Sequence, residues 1–550
     1  MPWVSSETAR AYREAGWWAD DTVLDAVRRN AAAEPDSPAY TCDGLRVSWS
    51  GFQLVSQQLA QVLVEAGVRP DDRVAVCMRD SIELHACFVA VEHAAATIAG
   101  IGARAGRREI RHLLGQVGAA LLVTGPVHDG ADAADLVAGL RAEGLDLRHL
   151  VVCLDPDGLT AVLDGVPVRP GERAVRELAE RRRGPDDLYL INSTSGTTGL
   201  PKAVLHTQNR WTYFHRKAVA NGALGPGEVI LGAVPAPFGF GLWTSHITPI
   251  RLGAHTVLLD RFTPRAALEA IERERVTMLC CVSTQFIMML TDPDLDRHDL
   301  SSLRVVFTGG ETVPYERALE FERRTGAAIL QFYGSNETGL LSGTTLADPP
   351  ERRLRTAGRV APEMRVRLFD GDRDVTGQGR GQPACKGPAT GIGYLDDEAA
   401  NEKLFTPDGW MLMGDICEID DEGYLTVVGR LSDFVVRGGK NISLPVVEND
   451  VLGHPAVAHA AAVGMPDPVF GERVCVYVEL RPGASLTLDG LRAHLAERGV
   501  SKELYPERLI ALAELPRSSG AKVAKGELRA DIARRIAAEA EHASPTTGER

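Results

Sequence analysis

The stretch INSTSGTTGLPKAVL, residues 191–205, sets six hydroxyl or glycine residues in a row, Ser193 to Thr198, between an apolar run and a lysine. Ser193, Thr194, Ser195, Thr197 and Thr198 supply hydroxyl donors. Gly196 and Gly199 let backbone N–H groups turn toward one point, the concavity that holds an anion. Lys202 adds a full positive charge, and Pro201 stiffens its approach. A plain surface loop uses the same turn-forming residues, but the ordered string STSGTTGLPK reads as a phosphate cradle. It is not a Walker A loop, GxxxxGK[ST], in which lysine follows glycine directly and opens a helix. Here Pro201 intervenes, Ala203 follows, and no other segment fits that pattern.

Outward from this loop, short apolar runs alternate with helical stretches: DRVAVCM then SIELHACFVAVEHA, HTVLLD then PRAALEAIERERV, LRVVFTGG then YERALEFERRTG. Such alternation predicts α/β layers with largely parallel sheets. The chain of 550 residues exceeds what one core supports, so at least two domains are expected. After Gly381 the pattern shifts to shorter strands and turns, which puts a boundary near Arg430. Beyond it lies an α+β unit of about a hundred residues. The division expected is 1–430, 431–540, and a frayed tail from 541 to 550.

Composition limits the partners. A net charge of -14, from 74 acidic and 60 basic residues, repels phosphate backbones and argues against nucleic acid. The start MPWVSSETAR lacks the basic and apolar blocks of a signal peptide, so a cytoplasmic protein is expected. The most lipid-like run, His85 to Ala103, carries Glu92 and His93 at its centre and reads as a buried Ala-rich helix, leaving no transmembrane segment. Nine cysteines in no ligand or disulfide pattern read as reduced core residues.

Later segments supply candidates for the rest of a nucleotide site. QFYGSNETG, residues 331–339, sets Tyr333, a ring able to stack on a purine, near Glu337, a carboxylate able to hold Mg²⁺. GWMLMGDICEIDDEGYLTVVGR, residues 409–430, offers Asp415 to both hydroxyls of a ribose and Arg430 at the domain junction. LPRSSGAKVAKGELR, residues 515–529, sets Lys522 in a second small, flexible turn. Each feature alone has a bland reading, as a turn or a solvated surface charge.

In this order, these segments resemble the adenylate-forming superfamily of acyl-CoA synthetases, nonribosomal adenylation domains and firefly luciferases, along almost the whole chain. The resemblance implies a large N-terminal domain of layered α/β subdomains and a small, mobile α+β C-terminal domain. TSGTTGLPK (Thr194, Ser195, Gly196, Thr197, Thr198, Lys202) then binds the phosphates of ATP. Gly310, Glu311, Tyr333, Gly334, Asn336, Asp415 and Arg430 hold the remainder of ATP or AMP, and Glu337 holds Mg²⁺. Lys522 becomes the catalytic lysine of acyl adenylate formation. Ser432 becomes the hinge, and Gly438, Gly439 and Lys440 the loop that faces CoA in the second half-reaction. A homodimer is compatible with the resemblance.

The chain also departs from the family pattern. Asn336 replaces a common threonine but keeps a donor amide, and Ala521 replaces the glycine before the lysine. In VPAPFGFGLW, residues 234–243, Phe238 stands where many members carry histidine. No aspartate is present there to hold an α-ammonium, and Gly239 replaces the asparagine of dihydroxybenzoate-activating relatives. Phe238, Gly239, Phe240 and Trp243, with Gly309 and Gly310, therefore imply an apolar pocket for a medium-chain, alicyclic or aromatic carboxylic acid. RGGKNISLPVVE most resembles the cyclohexanecarboxylate-CoA ligase branch. An AMP-forming acid-CoA ligase leads. The alternatives are loading of a separate carrier protein, activation of another small oxyanion such as nitrite, and a catalytically silent nucleotide-binding module.

Overall fold

The computed structural model describes residues 4–119, 121–193, 201–311, 313–430, 434–437, 440–467, 471–498, 500, 502–517 and 523–543. Two large sheets form the body. In the eight-stranded sheet the strands Arg148–Asp155, Leu121–Thr124, Arg73–Cys77, Thr97–Ile101 and Leu188–Ser193 run parallel in that order. In the nine-stranded sheet Ala328–Ser335, Val305–Gly309, Met278–Cys280, Val229–Gly232, His255–Leu258 and Pro38–Cys42 do the same. Strands such as Arg73–Cys77 are apolar on both faces because helices cover both, the condition for a parallel sheet.

The helix Ile82–His93 is apolar nearly all round and shares one core with strands of both sheets. Ser81 caps it by accepting from the Leu84 amide. The Ala-rich run is therefore buried as expected, but it is not one helix. Ala94 caps the helix, Ala95 turns the chain at φ 57°, and β-branched Thr97 and Ile98 open the strand Thr97–Ile101. Glu92 is 4% exposed, accepts from the Leu24 amide, and is pushed up by that burial. Among the described residues no helix is long and apolar enough to cross a membrane. All nine cysteines are free thiols, and all but Cys153 are buried.

A third, smaller set of strands begins at Arg365–Asp370, earlier than the shift read after Gly381, and ends in the hairpin Asp415–Ile419 and Leu425–Arg430. The small C-terminal domain follows. Its strands Lys440–Ser443, Phe434–Arg437, Gly471–Leu480 and Val457–Asp467 form one sheet, with Arg508–Leu512 added alongside Gly471–Leu480. It has apolar clusters of its own, around Val435 and Val476 on one face and Tyr477 and Ile532 on the other. The closing helix, Lys525–Ala543, runs past the expected start of the tail at 541, its alanines sustaining the helix.

Candidate active site

The strands Leu188–Ser193 and Ala203–Thr207 are antiparallel neighbours with Ser193 opposite Ala203, so the two strands that flank the expected phosphate loop lie side by side. Thr194, Ser195, Gly196, Thr197 and Thr198 lie outside the described residues, as do Ser432, Gly438, Gly439 and Lys522. Lys202, just past the loop, sets its ammonium 4.8 Å from the centre of the Tyr394 ring. The Tyr394 hydroxyl in turn donates to Glu337 Oε1 at 2.8 Å. Burial, and then Glu337, raise the Tyr394 hydroxyl far above its ordinary range, so it stays a donor. One tyrosine thus joins the expected phosphate lysine to the expected magnesium carboxylate.

Beneath Glu337 lies a buried polar network that the sequence reading did not anticipate. Arg210, at the start of the helix Gln208–Gly222, donates through Nε to the Ala389 carbonyl, through Nη1 to that of Asn336 and through Nη2 to that of Glu337, each at 3.0 Å. It also meets His206, whose Nε2 lies 2.6 Å from Asn192 Oδ1. Asn192 and Asn336 pair amide to amide at 2.7 and 3.1 Å, and Asn192 also donates to the Pro237 carbonyl at 2.9 Å. The phosphate-loop strand, the magnesium segment and the acid motif are tied through these side chains. Burial lowers Arg210 to about 10 and holds His206 neutral. The available signal was an arginine beside a tryptophan on a helix with little exposed surface.

At the other end of the segment, the Tyr333 hydroxyl donates to Asp415 Oδ2 at 2.7 Å. Burial and that carboxylate raise the hydroxyl well above its usual value. Arg430 pairs opposite Asp415 across the hairpin, and Lys440 opens the strand Lys440–Ser443, which pairs with Phe434–Arg437. Gly334 admits no side chain, since a Cβ would lie 1.8 Å from the Gly339 carbonyl oxygen. Gly310 adopts φ 78°, beyond the usual reach of other residues. Glu311 accepts from the Thr284 amide and hydroxyl at 3.2 and 3.0 Å, capping the helix Ser283–Leu290. These groups border a cleft of about 980 Å³ that Gly309, Gly310, Tyr333 and Asp415 line from the large domain, and Glu448 and Lys525 from the small one.

The acid motif lies against the network. The Phe238 ring packs over Gly102, where a Cβ would come within 2.7 Å of it. At Gly239 a Cβ would meet Asn336 Oδ1 at 2.9 Å and Trp211 Cη2 at 3.0 Å, so this backbone passes directly under both side chains. Phe240 is half-buried. Trp243 is fully buried in an aromatic stack on Phe214, with ring centres 4.4 Å apart, so it backs the motif. It opens a π-helical turn, Trp243–Ile247, a feature frequent at functional sites. His246 on that turn bonds Tyr189, and also His85, which is anchored by Asp80.

Among the described residues no group of three or more His, Cys, Asp or Glu side chains is arranged to hold a metal. Glu337, oriented by the Tyr394 hydroxyl and near Lys202 through that ring, still fits magnesium, which takes one or two carboxylates and completes its shell with substrate phosphates and water.

Comparison with known proteins agrees with this geometry. The AMP-binding enzyme family model matches residues 27–395, and that of the AMP-binding enzyme C-terminal domain matches 446–522. The chain is 31% identical to the medium-chain fatty-acid–CoA ligase of Escherichia coli (strain K12), covering 96% of this chain and 93% of that one. It is 30% identical to the 2,3-dihydroxybenzoate-AMP ligase of Bacillus subtilis (strain 168), covering 98% of both. The crystal structure of the anthranilate CoA ligase AuaEII in complex with anthranoyl-AMP superposes with a TM-score of 0.83 at 21% identity, covering 95% of this chain and 98% of the other. With both parts matched in order along its length, the chain belongs to the AMP-binding enzyme family.

Proposed function

We propose that this chain is an AMP-forming acid-CoA ligase that activates an apolar medium-chain, alicyclic or aromatic carboxylic acid with ATP. One observation carries the reading. The segment from Tyr333 to Glu337 bonds Asp415 at its first residue and reaches Lys202 through Tyr394 at its last. A ribose-binding carboxylate and a phosphate-binding lysine are thereby fixed to one short piece of backbone, as a nucleotide site requires.

In the first half-reaction the acid's carboxylate oxygen attacks the α-phosphorus of ATP and pyrophosphate leaves. Asp415, oriented by Tyr333, holds the ribose hydroxyls. Lys202 and the loop donors from Thr194 to Thr198 offset the charge that grows on the phosphoryl oxygens. Magnesium held at Glu337 supplies further positive charge to those oxygens when bound. Tyr394 and Arg210 keep Glu337 in place from its side chain and its backbone. Lys522 reaches the same centre from the small domain and bridges carboxylate and phosphate.

In the second half-reaction the thiol attacks the acyl carbonyl and AMP leaves. We place the domain boundary at Arg430 and the hinge at Ser432. Rotation there withdraws Lys522 and brings the Gly438–Gly439–Lys440 loop to the site. The likeness to a CoA ligase of Escherichia coli supports CoA as acceptor. The 30% identity to a 2,3-dihydroxybenzoate-AMP ligase, named for its adenylate and not for CoA, leaves transfer to a separate carrier protein as the second reading.

Pyrophosphate release with Mg-ATP, measured across a panel of acids with and without CoA and with Lys522→Ala as control, tests the proposal. Release that requires an acid, accelerates with CoA and is lost in the variant is expected. Release indifferent to CoA selects the carrier reading, and no release with any acid overturns both.

A further inference from the structure

Three arginines meet where the small domain docks on the large one, and one of them is unanswered. Arg317, on the helix Tyr315–Thr325 of the large domain, reaches the Val457 carbonyl with Nη2 at 3.5 Å. Arg481 stands beside that turn, its backbone N–H donating to the Ala456 carbonyl at 2.9 Å. Arg517, five residues before Lys522 in the sequence, lies 3.8 Å from Glu479, which pairs across the sheet with His459. Arg317 also has Glu320 at 3.2 Å on its own helix. Arg481 has no carboxylate within ion-pair distance among the described residues, and its buried Nε has no hydrogen-bond partner. The other arginines with such an Nε, Arg13 and Arg251, each bond a carboxylate through another nitrogen, Arg13 to Asp186 and Arg251 to Asp21 at 3.1 Å. Burial, and then the Arg317 guanidinium, hold Arg481 below the usual arginine value, with Glu320 partly relieving it. A half-buried cation set beside two others is costly unless an anion joins them.

We propose that this seam is an anion site: a phosphate-class oxyanion seats on Arg481, between Arg317 of the large domain and Arg517 of the small one, and its occupancy holds the small domain in its present docking. A tetrahedral oxyanion offers oxygens in four directions and so accepts from guanidinium forks on both domains at once. The site opens to solvent, since His459 and Arg517 also line the cleft of about 980 Å³. Through Arg517 the anion bears on the segment that carries Lys522. That part of the inference rests on the two-step reading above, in which Lys522 has to withdraw before the thiol attacks. An anion that binds one docking and not the other shifts the balance by its difference in affinity, so occupancy favours adenylation and slows the thioester step. Two sources share this chemistry: free phosphate, and the pyrophosphate that the first half-reaction releases into the same cleft.

The test is anion-dependent melting of the full-length protein, with inorganic phosphate against chloride at equal ionic strength. Lys202→Ala weakens phosphate binding at the expected nucleotide loop and serves as the background. In it, saturating phosphate is expected to raise the melting temperature by about 2 °C. That rise is expected to vanish when Arg481→Gln or Arg317→Met is added. The two substitutions dismantle the site from opposite domains, so if one fails to fold the other decides. A rise that survives them, or no rise in the background, overturns the proposal. Pyrophosphate replaces phosphate in a further arm: half-saturation at a lower concentration makes the product of the first half-reaction the occupant, and at a higher one free phosphate. In single turnover, consumption of preformed acyl adenylate by CoA should slow about threefold with phosphate in the wild type and not in Arg317→Met. Equal slowing in both, or none in either, overturns the hold on the small domain. The melting arms need no catalysis, so an absence of pyrophosphate release with any acid removes the ligase reading and not the anion site.

Discussion

The two walls of the cleft are built differently. On the large-domain side, Arg210 fixes three backbone carbonyls, an amide pair joins Asn192 to Asn336, and Asn192 holds the acid motif at Pro237. Across the seam to the small domain, among the described residues, Ser443 Oγ donates to the Val428 carbonyl at 2.5 Å and Arg317 reaches that of Val457 at 3.5 Å. Arg317, Arg481 and Arg517 crowd His459 there, with Glu320 and Glu479 offsetting part of the charge. The large-domain wall is over-determined. Among the described residues the small domain is tied to it by fewer side-chain bonds, as the rotation proposed above requires.

The contrast breaks most readily at Arg210. Replacing it with methionine takes the donor from the Ala389 and Asn336 carbonyls, at about 1–3 kcal/mol each, while the Glu337 carbonyl keeps the Gly391 amide. We expect Arg210→Met to lose several kcal/mol in denaturant titration and to lower adenylation by about 100-fold or more. Arg317→Met is the paired control on the other wall, and its cost should be about 1 kcal/mol or less. Equal losses in the two variants would remove the distinction.

Next come variants that keep the scaffold and change one function. Glu337→Gln retains the shape and the Tyr394 hydrogen bond but loses the charge that holds magnesium. Its adenylation rate should fall by about 100-fold with little change in melting. Tyr394→Phe, which removes only the orienting hydroxyl, should cost about tenfold. Tyr333→Phe removes one hydrogen bond from Asp415 and should raise the KM for ATP about fivefold, with kcat less affected. A larger effect on kcat would mean that Tyr333 acts on the reacting centre and not on the ribose end.

The same contrast explains what the sequence disclosed. Strand and helix alternation gave the parallel sheets, because a strand covered on both faces must be apolar throughout, as in Arg73–Cys77. Tyr333, Glu337 and Asp415 could be singled out as candidates because each belongs to an ordered local string, and the structure joins Tyr333 to Asp415. Arg210, His206 and Tyr394 were not, since Arg210 and Tyr394 act on residues more than fifty positions away, and His206 joins Arg210 to Asn192 fourteen positions before it, a spacing that no local string marks. Trp243 was read as pocket wall from its place in the acid motif. Its place behind Phe240, stacked on Phe214, depends on a π turn that no periodicity reveals. The Ala-rich run misled in length because Ala94 to Ala96 suit a helix locally, while the parallel partner strand Arg73–Cys77 claims Thr97 to Ile101.

The smallest expected effect tests the seam itself. His459 sits at the edge of the small domain with Glu479 Oε2 at 3.8 Å and Arg517, Arg317 and Arg481 around it. Burial first, and the arginines next, push it down to about 4. The unfolded chain takes up this proton near the ordinary histidine value of about 6.5. Between these two values the unfolded state binds more protons, so stability is full above the upper one and is lost as pH falls toward the lower one. His93 and His255, also lowered to about 4, and His215, lowered to about 3, act in the same direction. The whole chain should therefore melt at lower temperature on acidification. The share due to the seam is isolated by His459→Gln, which has no charge to gain. Its melting should fall less steeply than wild type between about pH 7 and pH 5, by a difference on the order of 1 kcal/mol. Parallel melting curves would mean that the seam opens before the histidine is desolvated, and that the arginine cluster governs docking without it.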